Sequence, residues 1–175
     1  MNLNCNVWEM EERFDKILIN QIWPEHGIEI ICKYVNKPDQ ERKGDYRISY
    51  NNREYNVDNK VEYDTPQNFP IELIQDVLSE NMGWFYKLKE CDLIFYGVFN
   101  ADWTMRYIYS INFHRLREYN FANGWLKYNN GKGRFGLTVF WAAPLIHLVN
   151  LKIARQFHIE MENKNKRMLF PELGI

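Results

Sequence analysis

Two carboxylates and an ammonium group, Asp45, Asp58 and Lys60, fall where an extended chain can bring them to one spot. Asn51-Asn52 separates two alternating runs, and Asn tolerates the positive φ that a two-residue hairpin turn needs. With that turn, residues facing each other have numbers that sum to 103, so Tyr50 faces Arg53 and Asp45 faces Asp58. Directly opposed side chains have Cβ atoms roughly 4.5–5.5 Å apart. Two carboxylates at that separation repel each other and suit a shared hard cation, with Lys60 on the same face. The other face collects Tyr46, Ile48, Tyr50, Tyr55, Val57 and Val61. A slip of one residue would put the two acids on opposite faces, so the argument depends on the register. A hairpin with one wet face also displays charges there without any further role.

Periodicity gives the elements around that hairpin. Met10, Phe14, Ile17 and Leu18 recur at helical spacing from Val7 to about Ile22, with Asn6 as a cap and Pro24 just past the end. On that helix Glu11 falls between Leu18 and Ile22, on the apolar side, whereas Glu12 points away. An inward carboxylate needs a cation or hydrogen-bond donors, although an ordinary boundary glutamate fits as well. Residues 28–35 are rich in β-branched side chains and read as a strand, 36–44 as a polar loop, 71–74 as a strand and 82–85 as a turn or short helix. Residues 92–99 are nearly all apolar, as in a central strand. A strand over 105–111 and a helix over 112–121 follow. Next come a loop holding Gly124, Gly131 and Gly133, an extended aromatic stretch over 134–145, and helical spacing over 146–158. The tail from Glu160 is polar. No repeat and no linker composition interrupts this order, so a single α/β domain with a mixed central sheet flanked by helices is expected.

Composition narrows the classes further. The 175 residues suffice for one core, and 46% apolar with 26% charged residues matches an ordinary folded domain. No run of eighteen apolar residues occurs, and the first residues lead into acidic ones rather than a basic and then apolar segment, so neither a membrane span nor a signal peptide is expected. Three cysteines without C-x-x-C spacing argue against a disulfide framework and point to a reducing, cytoplasmic setting. The net charge of -1 divides into -7 over residues 1–100 and +6 over 101–175. Such a split favours cations at the first part and a polyanion at the second, and solvated helix faces also produce it. Arg106, Arg115, Arg117, Lys132 and Arg134 are the candidate nucleic-acid contacts, although Gly131-Lys132-Gly133-Arg134 reads more readily as a solvated turn. The four histidines lack zinc spacing.

Gly44-Asp45, the alternating hairpin and then Val57-Asp58-Asn59-Lys60 resemble the PD-(D/E)xK nuclease superfamily, the restriction-endonuclease-like fold. The segments 69–73, 83–87 and 91–96 also look like those of small members. The resemblance covers about the first 115 residues. It implies a core of helix, three strands, helix and strand over about 7–115, with 116–175 as an elaboration and a helix around 75–89. Gly44 stands where the family's name has Pro, and Asp58 is a variant of the commoner Glu. The resemblance also implies a Mg²⁺ site, with Mn²⁺ as substitute, formed by Asp45 and Asp58. Glu11 takes the family's helix position with Glu12 as fallback, and Glu72 is a further ligand or outer acceptor. Lys60 is implied to orient or activate the attacking water. The implied activity is phosphodiester hydrolysis, of DNA, in genome maintenance, recombination or a phage or mobile-element conflict, with a homodimer as one arrangement. A non-catalytic protein of the same fold that binds nucleic acid or a protein partner is the alternative.

Overall fold

The computed structural model describes residues 3–63, 67–123, 128–133 and 136–158, and side chains over 8–63, 67–119 and 138–157. α1 (Leu3–Ile17) continues through a π-helical turn, Leu18–Ile22, into a final turn α2 (Trp23–Glu25). Pro24 sits in the first positions of α2, so the helical run passes the proline expected to lie beyond its end. β1 (Glu29–Lys33) follows. The expected loop over 36–44 contains a helix instead, α3 (Lys37–Lys43). Its cap is Asn36, whose Oδ1 accepts from Asp39 N–H at 2.9 Å, while Pro38 starts it and Arg42 and Lys43 suit its C-terminal end.

β2 (Tyr46–Tyr50) and β3 (Arg53–Tyr63) form the expected hairpin. Asn51 and Asn52 have φ of 51° and 59°, and the pairs run from Tyr50 with Arg53 to Tyr46 with Val57. Here the register agrees with the sequence expectation. Beyond it lie β4 (Asn68–Asp76), β5 (Asn81–Met82), α4 (Trp84–Lys87), β6 (Leu93–Phe99), β7 (Met105–Asn112) and α5 (Phe113–Asn123). The expected glycine loop holds β8 (Tyr128–Gly133), which pairs along β9 (Gly136–Pro144); residues 124–127 lie outside the described ones. The helix expected over 146–158 is confined to α6 (Leu145–Asn150). Lys152 adopts φ 58° and turns the chain into β10 (Ala154–His158), where the open edge of β7 supplies backbone partners. The spacing of Ile153 and Phe157 fits either period, and the sheet edge decides it. The polar tail from Glu160 lies outside the described residues.

Among the described residues the architecture is mixed α/β, with two sheets rather than one. Six strands are ordered β1-β2-β3-β6-β7-β10, and four are ordered β5-β4-β9-β8. β3 and β6 are parallel and the other pairs antiparallel, so the larger sheet is mixed and the smaller antiparallel. Every residue of β6 is buried, as its apolar run requires of a central strand. One face of the larger sheet contributes Tyr46, Ile48, Val57 and Phe95 to a cluster with Met10, Phe14, Leu18, Ile22 and Trp23 of the first helix. The opposite face contributes Ile94, Tyr96, Val98 and Ile111 to a second cluster with Phe69 and Ile71 of β4 and Trp141 of β9. Asp58 and Lys60 alternate with Val57 and Val61 along β3 and so belong to this second face. Beyond residue 116, β8 and β9 belong to the smaller sheet and β10 to the larger. Among the described residues no helix is long and apolar enough to cross a membrane.

Candidate active site

Gly44 determines where Asp45 stands. Its φ is +100°, outside the reach of a proline ring held near -65°. A Cβ at Gly44 would lie 2.6 Å from the Val57 carbonyl oxygen and 2.9 Å from Asp58 Cβ. Glycine at this position, where the resembled motif's name has proline, therefore has a steric reason. Asp45 N–H donates to Val57 O at 2.7 Å, one residue out of step with the hairpin, and Asn59 N–H donates to Asp45 Oδ2 at 2.9 Å. Regular pairing ends at Tyr46 and Val57, so the direct opposition expected of Asp45 and Asp58 is corrected to a bulge. The bulge keeps the carboxylates within electrostatic reach of each other.

Asp58 is 4% exposed on β3. Lys60 Nζ lies 2.6 Å from its Oδ2, an ion pair, yet that oxygen has no aligned hydrogen-bond donor among the described residues. Burial, and next the charge of Asp58, push the Asp45 pKa up to about 6 against the pull of Lys60 and Asn59 N–H. Burial raises Asp58 as well, and the Lys60 ammonium offsets this only in part, while the charges of Glu11 and Asp15 add to the rise. For Lys60, burial alone would lower the pKa; the charges of Asp58, Asp45 and Glu11 outweigh it and hold the group above its ordinary value. Lys60 Nζ also lies 5.5 Å from the centre of the Trp84 ring.

Two clefts open on these groups. One, of about 480 Å³, is lined by Glu11, Glu12, Asp15, Lys33, Asp45 and Lys60 among others. The other, of about 800 Å³, includes Lys37, Asp45, Asp58, Lys60, Glu72 and Lys87. Asp15 went unnoticed in the sequence, although it lies one helical turn after Glu11. Its Oδ1 accepts from Asn59 Nδ2 at 2.9 Å, and its Oδ2 from Tyr46 Oη at 2.5 Å and Lys33 Nζ at 3.2 Å. Asp15 thus orients the residue whose N–H holds Asp45.

No family model, curated protein or solved structure matches this chain.

Glu11 shares a cleft with Asp45 and Lys60 and acts on Asp58 and Lys60 through its charge, but it is exposed rather than inward. The wheel that placed it between Leu18 and Ile22 assumed a regular helix, and the π turn from Leu18 shifts that phase. Glu72 Oε1 accepts from Trp84 N–H at 3.3 Å, which ties it to the first turn of α4. Among the described residues no group of three or more His, Cys, Asp and Glu is gathered closely enough to hold a metal ion, so a ligand set of four acids is not assembled. Asp45 and Asp58 remain, both raised in pKa, with Asp58 Oδ2 held against the Lys60 ammonium. That pair fits Mg²⁺, which keeps several waters and needs few protein oxygens.

The sequence-derived basic contacts do not converge on this site. Arg117 donates to the carbonyls of Phe85, Leu88 and Lys89 and lies 4.3 Å from the Phe113 ring centre, so it fastens α4 to α5. Arg115 donates to Lys152 O, and Arg106 lies over Tyr107 and lines a separate cleft. Charge counted along the chain carries no information about which face a side chain takes. The Lys132 side chain and Arg134 lie outside the described residues. Lys37 and Lys87 line the site cleft instead.

Proposed function

We propose that this chain is a divalent-metal-dependent nuclease of the restriction-endonuclease-like fold, hydrolysing phosphodiester bonds of DNA. The observation that carries the reading is the acid pair: buried Asp58 and half-buried Asp45 are both held above their ordinary pKa beside the half-buried Lys60, whose ammonium lies 2.6 Å from Asp58 Oδ2. Lys60 offsets one of the two negative charges, and a divalent cation would offset what remains. The order of elements supports the reading, since α1, an antiparallel β1-β2-β3 and a crossover through α4 lead to β6 parallel to β3. The crossover also forms β4 and β5, and α4 has four residues where the resembled core has a longer helix.

Asp45 and Asp58 would hold Mg²⁺ or Mn²⁺. When bound, such an ion supplies a water activated at neutral pH and neutralises charge at the phosphate. Asp45 is deprotonated above about pH 6, and Asn59 N–H fixes the direction of its carboxylate. Lys60 stays protonated and is positioned to donate to a phosphate oxygen or to the attacking water. Trp84 packs beside its ammonium and restricts its range. Lys37 and Lys87 on the cleft wall attract the polyanion. Glu11 adds negative potential that favours a cation over a bare acid pair.

Calorimetric titration with Mn²⁺ tests this reading. The wild type binds the ion, Asp45→Asn and Asp58→Asn lose the binding with folding retained, and Lys60→Met binds it yet cleaves nothing. No ion binding by the folded wild type would shift the reading to a non-catalytic nucleic-acid- or protein-binding protein.

A further inference from the structure

The face of β3 that carries Asp58 and Lys60 leads into an aromatic slot. Lys60 is the register partner of Tyr96 across the parallel β3–β6 pair, so the two side chains stand side by side facing the smaller sheet. Phe69, Trp84, Tyr96 and Phe140 line a cleft of about 290 Å³ there, with Lys60 and Thr138 among its walls. That volume lies at the lower limit of the roughly 300–1,000 Å³ of small-molecule sites, room for one ring system rather than a stacked run. Phe69 meets Tyr96 edge-on with centres 4.9 Å apart, and Trp84 lies 5.8 Å from Phe69.

Tyr96 is fully buried, and its hydroxyl has no hydrogen-bond partner among the described residues. Burial, and next the charge of Glu62, keep that phenol protonated. It is therefore a donor with nothing to donate to, which is unfavourable in a folded interior. Thr138 Oγ1 donates to Gln75 O at 3.1 Å and keeps its lone pairs free to accept. The cleft offers the partly exposed rings of Trp84 and Phe140, with Phe69 and Tyr96 packed behind them, an orphaned donor in Tyr96, acceptors in Thr138 and the Glu72 carboxylate, and the Lys60 ammonium in its wall.

We infer that this slot receives a single unstacked nucleobase, with the adjoining phosphate at Lys60. The inference rests on the nuclease reading of the acid pair. Aromatic walls stack any base through its π face, whereas an aliphatic or sugar ligand gains little from them. A paired base in a duplex cannot enter, so the substrate presents the base single-stranded or turned out of the helix. The turn beside the cleft agrees with that. Leu78 is 85% exposed and Met82 53% exposed, next to Gln75 and Asn81, which line the larger cleft. Exposed apolar side chains at such a tip are the kind that wedge between base steps.

Binding in chelator separates this proposal from catalysis. The probes are a short single-stranded thymidine oligonucleotide and its abasic counterpart of equal length and charge. The base-bearing strand should bind at least roughly fivefold tighter. Phe140→Ala should erase that difference and leave abasic binding unchanged. Tyr96→Phe keeps the ring, and it should weaken base-bearing binding roughly three- to tenfold while its melting temperature without ligand is unchanged or higher. Equal binding of the two strands, no binding of either, or a Tyr96→Phe protein that melts lower and binds normally would overturn the proposal. Cleavage with Mg²⁺ is scored separately. Cleavage without a base preference in binding would sink the slot and keep the nuclease reading, and the converse result would keep the slot and sink the nuclease reading.

Discussion

Asn59 Nδ2 donates to Asp15 Oδ1 at 2.9 Å, joining α1 to the strand that carries Asp58 and Lys60. The backbone N–H of the same asparagine holds Asp45 Oδ2, so a helix side chain governs the direction of a site carboxylate through one intermediate residue. Asp15 also adds its negative charge to those raising the Asp45 pKa. Asp15→Asn keeps an acceptor for Asn59 and removes that charge. The Asp45 pKa should fall by roughly half a pH unit or less, shifting the acid limb of the cleavage–pH profile downward. NMR titration of the Asp45 carboxyl carbon measures the same change without turnover, and an unmoved titration would contradict the linkage.

The acid pair makes the protein's stability depend on pH in a definite direction. Asp45 titrates at about 6 when folded against 3.8 ordinarily, so its protonated form is the one folding favours. The stability it contributes is complete below pH 3.8 and is lost as pH rises through 6, and Asp58 moves the same way. The loss is on the order of 1–3 kcal/mol, kept toward the lower end by the open cleft. Lys60, raised, contributes stability at both ends of that window. Thermal melts in chelator should therefore fall between pH 4 and pH 7, and Mg²⁺ should restore the melting temperature at pH 7 while doing nothing at pH 4.

The local part of this site was legible in the sequence, and the non-local part was not. Asn51-Asn52 dictates the hairpin register because few other residue pairs accept positive φ at both turn positions. That register brings Asp58 and Lys60 to one face and leaves the bulge at Asp45 unseen, because the bulge depends on Gly44 packing against Val57 and Asp58. The first helix was legible, but the π turn from Leu18 shifts the phase of Ile22, one of the two residues that had bracketed Glu11. The helix expected across 146–158 failed because Ile153 and Phe157 satisfy strand and helix alike, and the choice belonged to the open edge of β7. The packing of Arg117 was hidden for the same reason, since the carbonyls it binds, on Phe85 of α4 and on Leu88 and Lys89 just past it, are 28 to 32 residues away.

Gly44→Ala tests the close approach directly. The added Cβ meets the Val57 carbonyl at 2.6 Å, backbone that cannot swing aside, at a φ that L-residues rarely adopt. Destabilisation of about 2 kcal/mol or more is expected, read as a lower denaturation midpoint with unchanged slope. Metal affinity should weaken with it, because Asp45 follows the same backbone.

Arg117 and Lys87 should behave oppositely when mutated. Arg117→Met removes three carbonyl contacts and a ring contact, lowering stability by about 2–4 kcal/mol and leaving the salt dependence of nucleic-acid binding alone. Lys87→Ala should leave stability nearly unchanged and reduce the salt slope of binding by about one. Filter-binding across a salt series, alongside denaturant melts, reads both.

The central claim is that Asp45, Asp58 and Lys60 together support metal-dependent hydrolysis. Its most direct measurement is incubation of the purified protein with linear, circular, branched and single-stranded DNA and with RNA, in Mg²⁺, in Mn²⁺ and in chelator, beside a folded Asp58→Ala control. The account predicts metal-dependent cleavage of at least one DNA substrate, strongest where bases are unpaired, abolished by chelator and absent from the control. Cleavage that persists at wild-type rate in Asp58→Ala, or no cleavage of any substrate by a folded wild type with either metal, would contradict it.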